Sequence, residues 1–97
     1  MKIYISGAIT GTTDYEERFA EVEEKLKTQG YEVINPAKVG SALQENTSHE
    51  EYMTISFALM DICNAVYFMP GWQQSRGCNQ EYGYAIAKNM ARYFSCE

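Results

Sequence analysis

The segment GWQQSRGCNQEYGYA (residues 71–85) places one glutamate among serine, glycine and aromatic residues. Glu81 follows Ser75 by six positions and Gly77 by four, and Gly83 comes two positions later. A carboxylate can act as a nucleophile towards an electrophilic carbon or as a general base. Glycines let backbone and ligand approach closely, although each costs a helix about 1 kcal/mol. These residues alone leave Glu81 evenly balanced between a solvated helix side chain and a catalytic group.

Other side chains also have both a structural and a functional interpretation. Ser75 suits the N-cap of a helix, where free N–H groups can also bind a phosphate or hydroxyl group. Tyr4 lies in an apolar strand pattern and is either a core residue or a hydrogen-bond partner of a site carboxylate. Trp72 is either a packing residue or a surface on which a planar ring stacks. Asp61 opposes a helix dipole and is more simply a surface residue than a second site carboxylate.

Strand and helix patterns alternate along the chain. Apolar strand patterns cover KIYIS (2–6), YEVINP (31–36), AVYFM (65–69) and ARYF (91–94). Helices are predicted from an N-cap at Asp14, from a capping box formed by Ser48 and Glu51, and from Ser75 or the next residue. Residues 37–47 show no periodicity and predict a loop.

Helical spacing of apolar residues predicts the buried face of each helix. The buried residues predicted in this way are Phe19, Val22 and Leu26 in the first helix, and Ile55, Leu59 and Ile62 in the middle helix. The acidic run EVEE (21–24) of the first helix is expected to face solvent.

The alternation with short connections predicts an α/β fold of one domain over residues 1–97. We expect a small doubly wound, flavodoxin- or Rossmann-like three-layer sandwich, with a parallel sheet of about four strands and the first and third strands at its centre. In such sheets, ligands bind beyond the carboxyl ends of the strands. The loops GAITGTT (7–13) and PGWQQSRG (70–77) are expected at that edge. Glu81 should therefore lie close to a cleft.

Composition narrows the classes of ligand and partner. The net charge is −5 and the eight Lys and Arg residues are scattered, which argues against polymeric nucleic acid. No apolar run approaches the ~20 residues that span a bilayer, and no signal-peptide pattern occurs, so we expect a cytoplasmic protein without membrane association. Cys63, Cys78 and Cys96 lack CxxC spacing and the chain has one histidine, so no metal and no other cofactor is expected.

Four stretches of the chain together resemble the nucleoside 2-deoxyribosyltransferase superfamily. They are KIYISGAITG (2–11), NP (35–36), YM (52–53) and PGWQQSRGCNQEYGYA (70–85). The resemblance covers essentially the whole chain and is nearest to a short branch associated with phages and bacteria. Its most specific part is the pattern Ser75-x-Gly77-x-x-x-Glu81, whose spacing is similar to that of 2′-deoxynucleoside 5′-phosphate N-hydrolases.

The resemblance implies a role for each matching residue. Glu81 would be the nucleophile that attacks C1′ of a deoxyribosyl group, and Tyr4 would orient it. The substrate contacts that it implies are Gly7, Ile9, Gly11, Ser56, Trp72, Ser75 and Gly77. The mechanism would be retaining, through a glycosyl-enzyme ester that water or a second base resolves. Members of the superfamily are dimers or larger, so a homodimer or higher homo-oligomer is expected.

The sequence departs from the superfamily pattern at two positions. Ser56 stands where an aspartate often contacts the base, and Asn64 stands where a second aspartate is common, so the proton donor for the departing base is unassigned. The first loop also lacks the arginine of phosphate-preferring hydrolases. One alternative is a nucleotide-binding module that kept the pocket and lost turnover. Another is a phosphoribohydrolase, although PGWQQSRG matches its PGGxGT stretch only in part. The base, the need for a 5′-phosphate, and hydrolysis versus transfer stay open.

Overall fold

A computed structural model describes residues 1–9, 13–40, 43 and 46–95 of the chain. Its elements are, in order, β1 (Lys2–Ser6), α1 (Tyr15–Thr28), β2 (Glu32–Ile34), α2 (Pro36–Gly40), α3 (His49–Asp61), β3 (Ala65–Phe68), a 3₁₀ turn (Trp72–Gln74), α4 (Arg76–Ala87) and β4 (Ala91–Phe94). This order confirms the predicted alternation of strands and helices, to which the structure adds the short helix α2.

The described residues form one four-stranded sheet in the order β2-β1-β3-β4, and all its strand pairs are parallel. Tyr4 pairs with Val66, and Phe68 pairs with Phe94. The two central strands, β1 and β3, are almost completely buried, as expected for strands covered on both faces. The predicted position of these two strands at the centre of the sheet is confirmed.

Each face of the sheet carries its own hydrophobic core. Because side chains of a strand alternate between faces, Ile3 and Ile5 point to the face covered by α1, whereas Tyr4 points to the opposite face. The first core includes Phe19, Leu26, Ala65 and Tyr67, and the second includes Met60, Val66, Phe68 and Ala85. The protein therefore has the three-layer, doubly wound α/β fold that the sequence predicts.

The predicted buried face of the middle helix is partly wrong. Ile62 is 56% exposed, because it is the C-cap residue that follows the last turn of α3 and no longer obeys the helical period. Met53 and Met60 are the buried residues of α3. Ile55 and Leu59 are half-buried because both line a cavity. In α1, Phe19 and Leu26 are buried as predicted, and Val22 is half-buried.

The acidic run of α1 contains a buried carboxylate, which contradicts its predicted exposure. Glu23 is 5% exposed and accepts hydrogen bonds from Asn35 Nδ2 at 3.0 Å and Lys38 Nζ at 3.2 Å, while Lys27 Nζ lies 2.7 Å away. Burial by itself would raise the pKa of Glu23, but these three partners outweigh it and lower the pKa to about 2. The Glu23 carboxylate therefore joins α1 to α2.

The segment predicted as a loop begins with the helix α2, and Asn35 explains why. The Asn35 Oδ1 atom accepts a hydrogen bond from Ala37 N at 2.9 Å, which caps the first turn. Pro36 follows at the first helical position, where its missing N–H costs nothing. The motif NP therefore ends a strand and starts a helix within two residues.

The ends of the longer helices agree with their sequence signals, with one difference. The capping box of Ser48 and Glu51 is complete at the start of α3. Gly30 follows α1 with a φ of 93°, which favours glycine. Asp14 occupies the N-cap position of α1 but makes no side-chain capping bond, because its carboxylate accepts from Arg18 Nε at 3.1 Å.

Within the described part of the chain, no helix has the length and apolar character needed to cross a membrane.

Candidate active site

A cavity of about 300 Å³ lies where β1 ends, between the sheet and the helices α3 and α4. The loop after β1 and helix α2 complete its lining. Seven residues singled out from the sequence line it: Tyr4, Gly7, Ile9, Ser56, Ser75, Gly77 and Glu81. The cavity therefore lies at the predicted edge of the sheet and brings together residues that are far apart in the sequence.

Two buried hydroxyl groups hold the carboxylate of Glu81. The Tyr4 hydroxyl donates to Oε2 at 2.5 Å and the Ser6 hydroxyl donates to Oε1 at 2.6 Å. Tyr4 and Ser6 are two positions apart on β1 and so point to the same face of the sheet. Glu81 is only 6% exposed, and this residual surface opens into the cavity. The hydrogen bond between Tyr4 and Glu81 is present, and its role in orienting a nucleophile remains a prediction.

A third hydroxyl group, that of Ser56 on α3, also belongs to this cluster. It lies close enough to both Tyr4 and Glu81 to lower the pKa of each. Ser56 thus lines the same cavity as the carboxylate. A serine here adds a hydrogen-bond donor to the cluster, where an aspartate would add a second acid.

Burial and hydrogen bonding act in opposite directions on Glu81. Burial is the largest effect and raises the pKa of Glu81 above its ordinary value, while the hydroxyl groups of Ser6, Tyr4 and Ser56 oppose it. Burial, followed by the nearby Glu81 charge, raises the pKa of Tyr4 well above that of an ordinary phenol. Tyr4 therefore remains a hydrogen-bond donor at neutral pH. The carboxylate it holds is poorly hydrated, as is common for groups that react.

Helix α4 positions Glu81 because of how the helix begins. Ser75 is its N-cap, as predicted, and the Ser75 Oγ atom accepts from Cys78 N at 3.2 Å. Since α4 starts at Arg76, Glu81 falls in the second turn and faces the sheet. Cys78 is buried, and this burial raises the pKa of its thiol.

Three glycines near the site have different environments. A Cβ atom on Gly7 would lie 2.6 Å from Met69 Sδ, so the packing between β1 and β3 leaves no room for a side chain. A Cβ on Gly77 would make ordinary contacts, the nearest at 3.5 Å, at the surface of the cavity. Gly83 is exposed, with no neighbouring atom within 4 Å of such a Cβ. Close approach of a ligand to the backbone can therefore explain the glycine at position 77. It cannot explain Gly83, so the interpretation of Gly83 as part of the site is wrong.

Several residues considered from the sequence lie elsewhere. Trp72 is absent from the lining of the cavity and stacks on Tyr82, with ring centroids 5.0 Å apart. Asp61 accepts from Tyr84 at 2.6 Å on the surface. Asn64 accepts from the Lys2 backbone at 3.1 Å. These contacts agree with the interpretation of Trp72 as a packing residue and of Asp61 as a surface residue. The predicted contact at Gly11 lies outside the described residues.

The structure also brings residues to the cavity that the sequence did not single out. The most important is Ser6, which period-two alternation from Tyr4 could have identified. His49 lines the cavity, and its Nε2 atom lies 2.6 Å from Gln80 Oε1. Tyr15 of α1 and Tyr52 of α3 add aromatic surface.

Among the residues that the structure describes, no group of three or more His, Cys, Asp or Glu side chains could hold a metal ion. The described residues that line the cavity supply one carboxylate, several hydroxyl groups, a thiol and an imidazole.

A comparison with protein-family models gives one match. Residues 1–92 match the model described as "Domain of unknown function (DUF4406)". The chain belongs to this family. The match to DUF4406 includes every residue that contacts the Glu81 carboxylate, so the cluster lies within the domain that defines the family. Searches of curated proteins and of solved structures gave no match.

Proposed function

We propose that the protein cleaves or transfers the N-glycosidic bond of a deoxynucleoside or its 5′-monophosphate, through a covalent glycosyl ester on Glu81. The observation that carries the proposal is a single buried carboxylate that opens into a cavity while Tyr4 and Ser6 hold both its oxygens. A side chain held in this way has one orientation, which a nucleophile requires. The resemblance to the nucleoside 2-deoxyribosyltransferase superfamily suggests the substrate class.

The reaction has two displacements at C1′. In the first, a Glu81 oxygen forms a bond to C1′ while the C1′–N bond breaks, and its electron pair leaves with the base. In the second, water or another base attacks C1′, the ester bond breaks, and the carboxylate is restored. Both steps pass through an oxocarbenium-like transition state, which the negative charge of Glu81 stabilises. Tyr4 and Ser6 would keep the carboxylate in line during both steps.

The remaining lining of the cavity supports a nucleoside-sized ligand. A volume of about 300 Å³ is at the lower end of small-molecule sites. Apolar and aromatic side chains, which suit a planar base, come from Ile9, Tyr15, Val39, Tyr52 and Leu59. Ser75 and Gly77, at the start of α4, would contact the 5′ end of the sugar or its phosphate. On this proposal the protein needs no cofactor, works in the cytoplasm and forms a homodimer or larger homo-oligomer.

The proposal is tested by base release from the four common deoxynucleosides and their 5′-monophosphates, measured by chromatography. We expect release from at least one substrate, and a loss of at least ~10³-fold with Glu81→Gln, which keeps the shape and removes the charge. Quenched wild-type reactions should contain protein heavier by one deoxyribosyl group. Glu24→Gln, an exposed glutamate on α1, is the control. Base release that Glu81→Gln leaves unchanged would contradict the proposal.

A second candidate is a nucleotide-binding module without turnover. It is favoured by Ser56, because Glu81 is the only carboxylate among the described residues that line the cavity, so the described lining holds no second carboxyl group to protonate the departing base. Calorimetry distinguishes the two functions. Nucleotide binding without base release supports the module, and base release supports the enzyme.

A further inference from the structure

We propose that His49 binds a 5′-phosphate, and so makes a deoxynucleoside 5′-monophosphate the preferred substrate over the free deoxynucleoside. Gln80 is the positioning residue that holds the His49 ring. This inference deepens the proposed function and rests on it for the reaction. Binding of the phosphate can nevertheless be measured without any turnover.

His49 supplies a charge that the rest of the described lining lacks. Among the described residues that line the cavity, none is lysine or arginine, so His49 is the one side chain there that can become a cation. The Glu81 carboxylate belongs to the same lining, and its negative charge repels an anionic ligand. A phosphorylated substrate therefore needs a compensating positive group, and histidine is the side chain that gains a proton close to neutral pH.

The His49 ring lies beside the start of α4. A Cβ atom on Gly77 would be 3.8 Å from His49 Cε1 and 4.0 Å from Ser75 Oγ. The imidazole ring and the Ser75 hydroxyl are therefore neighbours of the same glycine, which has no side chain to exclude a ligand. This is the part of the cavity to which the proposed function assigns the 5′ end of the sugar.

Helix α4 sets the spacing between this part of the cavity and the reacting carbon. Gly77 and Glu81 are four residues apart, so they lie on one face of α4, about 5.4 Å apart along its axis. In a deoxyribose, C1′ and the carbon that carries the 5′ group flank the ring oxygen. A sugar whose C1′ faces Glu81 can therefore direct its 5′ group one helical turn towards Gly77, where His49 lies.

Gln80 determines which nitrogen of His49 is left for a ligand. The His49 Nε2 atom lies 2.6 Å from Gln80 Oε1, and an amide oxygen only accepts, so Nε2 carries the hydrogen of this bond. Within the described part of the chain, the ring makes no other hydrogen bond. A proton on Nδ1 makes the ring a cation and gives it a donor for a phosphate oxygen. Such charge-assisted hydrogen bonds are among the stronger kinds.

Arg76 is the cation next to Gly77 in the sequence, but its side chain is not placed to bind the phosphate. It does not belong to the described lining of the cavity, and its Nη2 atom lies 3.9 Å from Glu50 Oε1. Both side chains of this ion pair are largely exposed, so water and salt screen their charges. Arg76 therefore provides a matched control for His49.

The experiment compares ligand affinities by calorimetry in the Glu81→Gln background, which prevents turnover. The ligands are the four common deoxynucleosides and their four 5′-monophosphates. We expect at least one monophosphate to bind ~10-fold or more tightly than its own deoxynucleoside, because it gains a charge-assisted hydrogen bond. Adding His49→Ala should weaken monophosphate binding ~10- to 100-fold and deoxynucleoside binding by less than about threefold. With Glu81 present, kcat/KM for the monophosphate should fall by the same factor.

Gln80→Ala tests the positioning of the ring. This variant keeps the imidazole but frees its orientation, so monophosphate affinity should fall roughly 3- to 10-fold, which is less than in His49→Ala. Gln29→Ala, which removes an exposed glutamine at the end of α1, is its matched control. Arg76→Ala should change the preference for the monophosphate by less than about threefold.

Three results would overturn the proposal. They are equal affinities for monophosphate and deoxynucleoside, an equal loss of both in His49→Ala, and a loss in Arg76→Ala as large as that in His49→Ala. The second matters because a residue that acts on the base or on folding affects both ligands alike. If the wild type releases no base, the proposed function fails, while the calorimetric comparison still decides whether His49 binds the phosphate.

Discussion

At the scale of single residues, the burial of Glu81 contradicts one of the two interpretations that its sequence context left, that of a solvated helix side chain. A solvated helix glutamate would be hydrated, whereas this carboxylate has exchanged water for the hydroxyl groups of Tyr4 and Ser6. Such an exchange costs stability unless each lost hydrogen bond is replaced. Among the described residues, no buried side-chain nitrogen or oxygen atom lacks a partner, so the exchange is complete.

The two glycines of α4 provide a matched pair of substitutions. Gly77→Ala and Gly83→Ala should each stabilise the protein by up to about 1 kcal/mol, because alanine favours a helix and neither Cβ would clash. Only Gly77→Ala places a methyl group at the cavity, so only this variant should raise KM, by several-fold. Urea unfolding and steady-state kinetics measure the two effects. Equal KM values for both variants would show that Gly77 does not contact the substrate.

The sequence predicts some site residues and misses others for identifiable reasons. Spacing places Glu81 and Ser75 in one local frame, since they are the cap and a second-turn side chain of one helix, but it left the role of Glu81 open until the resemblance was considered. Tyr4 follows from its place on a strand that ends at the cavity. Period-two alternation places Ser6 on the same face as Tyr4, but Ser6 was missed because nothing local links its hydroxyl to a partner 75 positions away. Trp72 was predicted to contact substrate because its packing against Tyr82 and Phe94 is visible only in the folded structure.

At the scale of elements, helix α2 and its link to α1 form one wall of the cavity. Pro36, Val39 and Gly40 of α2 line it, and the carboxylate of Glu23 holds the helix through Asn35 and Lys38. The helical period of α1 could not predict that Glu23 is buried, because the partners of its carboxylate, Asn35 and Lys38, lie outside α1. The loop predicted for residues 37–47 was wrong at its start for a similar reason. Asn35 caps α2 with a side chain that also donates to Glu23, which lies in another element.

The lowered pKa of Glu23 predicts how stability depends on pH. A carboxyl whose pKa falls from 4.5 to about 2 on folding contributes stability above pH 4.5, and this is lost as the pH falls towards 2. The wild type should therefore lose about 1–2 kcal/mol more between pH 6 and pH 2.5 than Glu23→Gln does, a modest value because Lys27 and Lys38 are largely exposed. Urea unfolding at both pH values measures it, with Glu24→Gln as control. Parallel curves for wild type and Glu23→Gln would contradict the prediction.

At the scale of the whole molecule, two cores share one sheet, so neither can unfold alone. The strands β1 and β3 contribute side chains to both cores. At the β4 edge, the second core continues into a cluster of aromatic rings, made of Phe68, Trp72, Tyr82 and Phe94. The alternation of elements in the sequence predicts this sharing, because parallel strands joined by helices must be covered on both faces.

The fluorescence of Trp72, the single tryptophan, should therefore report global unfolding. Urea transitions followed by this signal and by far-UV circular dichroism should coincide, as in a two-state protein. Trp72→Ala should cost about 2–4 kcal/mol by emptying the aromatic cluster, somewhat below the cost at a fully buried site because Trp72 is half-buried. The midpoint shift in the circular dichroism transition measures this cost. Separate midpoints for the two wild-type signals would show that the β4 edge unfolds independently.

The distance along the chain between Glu81 and its partners has a consequence for synthesis. Tyr4 and Ser6 precede Glu81 by 77 and 75 positions. At about 5–20 residues per second, a ribosome needs roughly 4 to 15 seconds to produce the intervening residues. For most of that interval β1 lacks its central partner β3, and until its end the two hydroxyl groups have no Glu81 carboxylate to hold. The hydrogen-bonded cluster of Tyr4, Ser6 and Glu81 therefore cannot form before residue 81 has been synthesised.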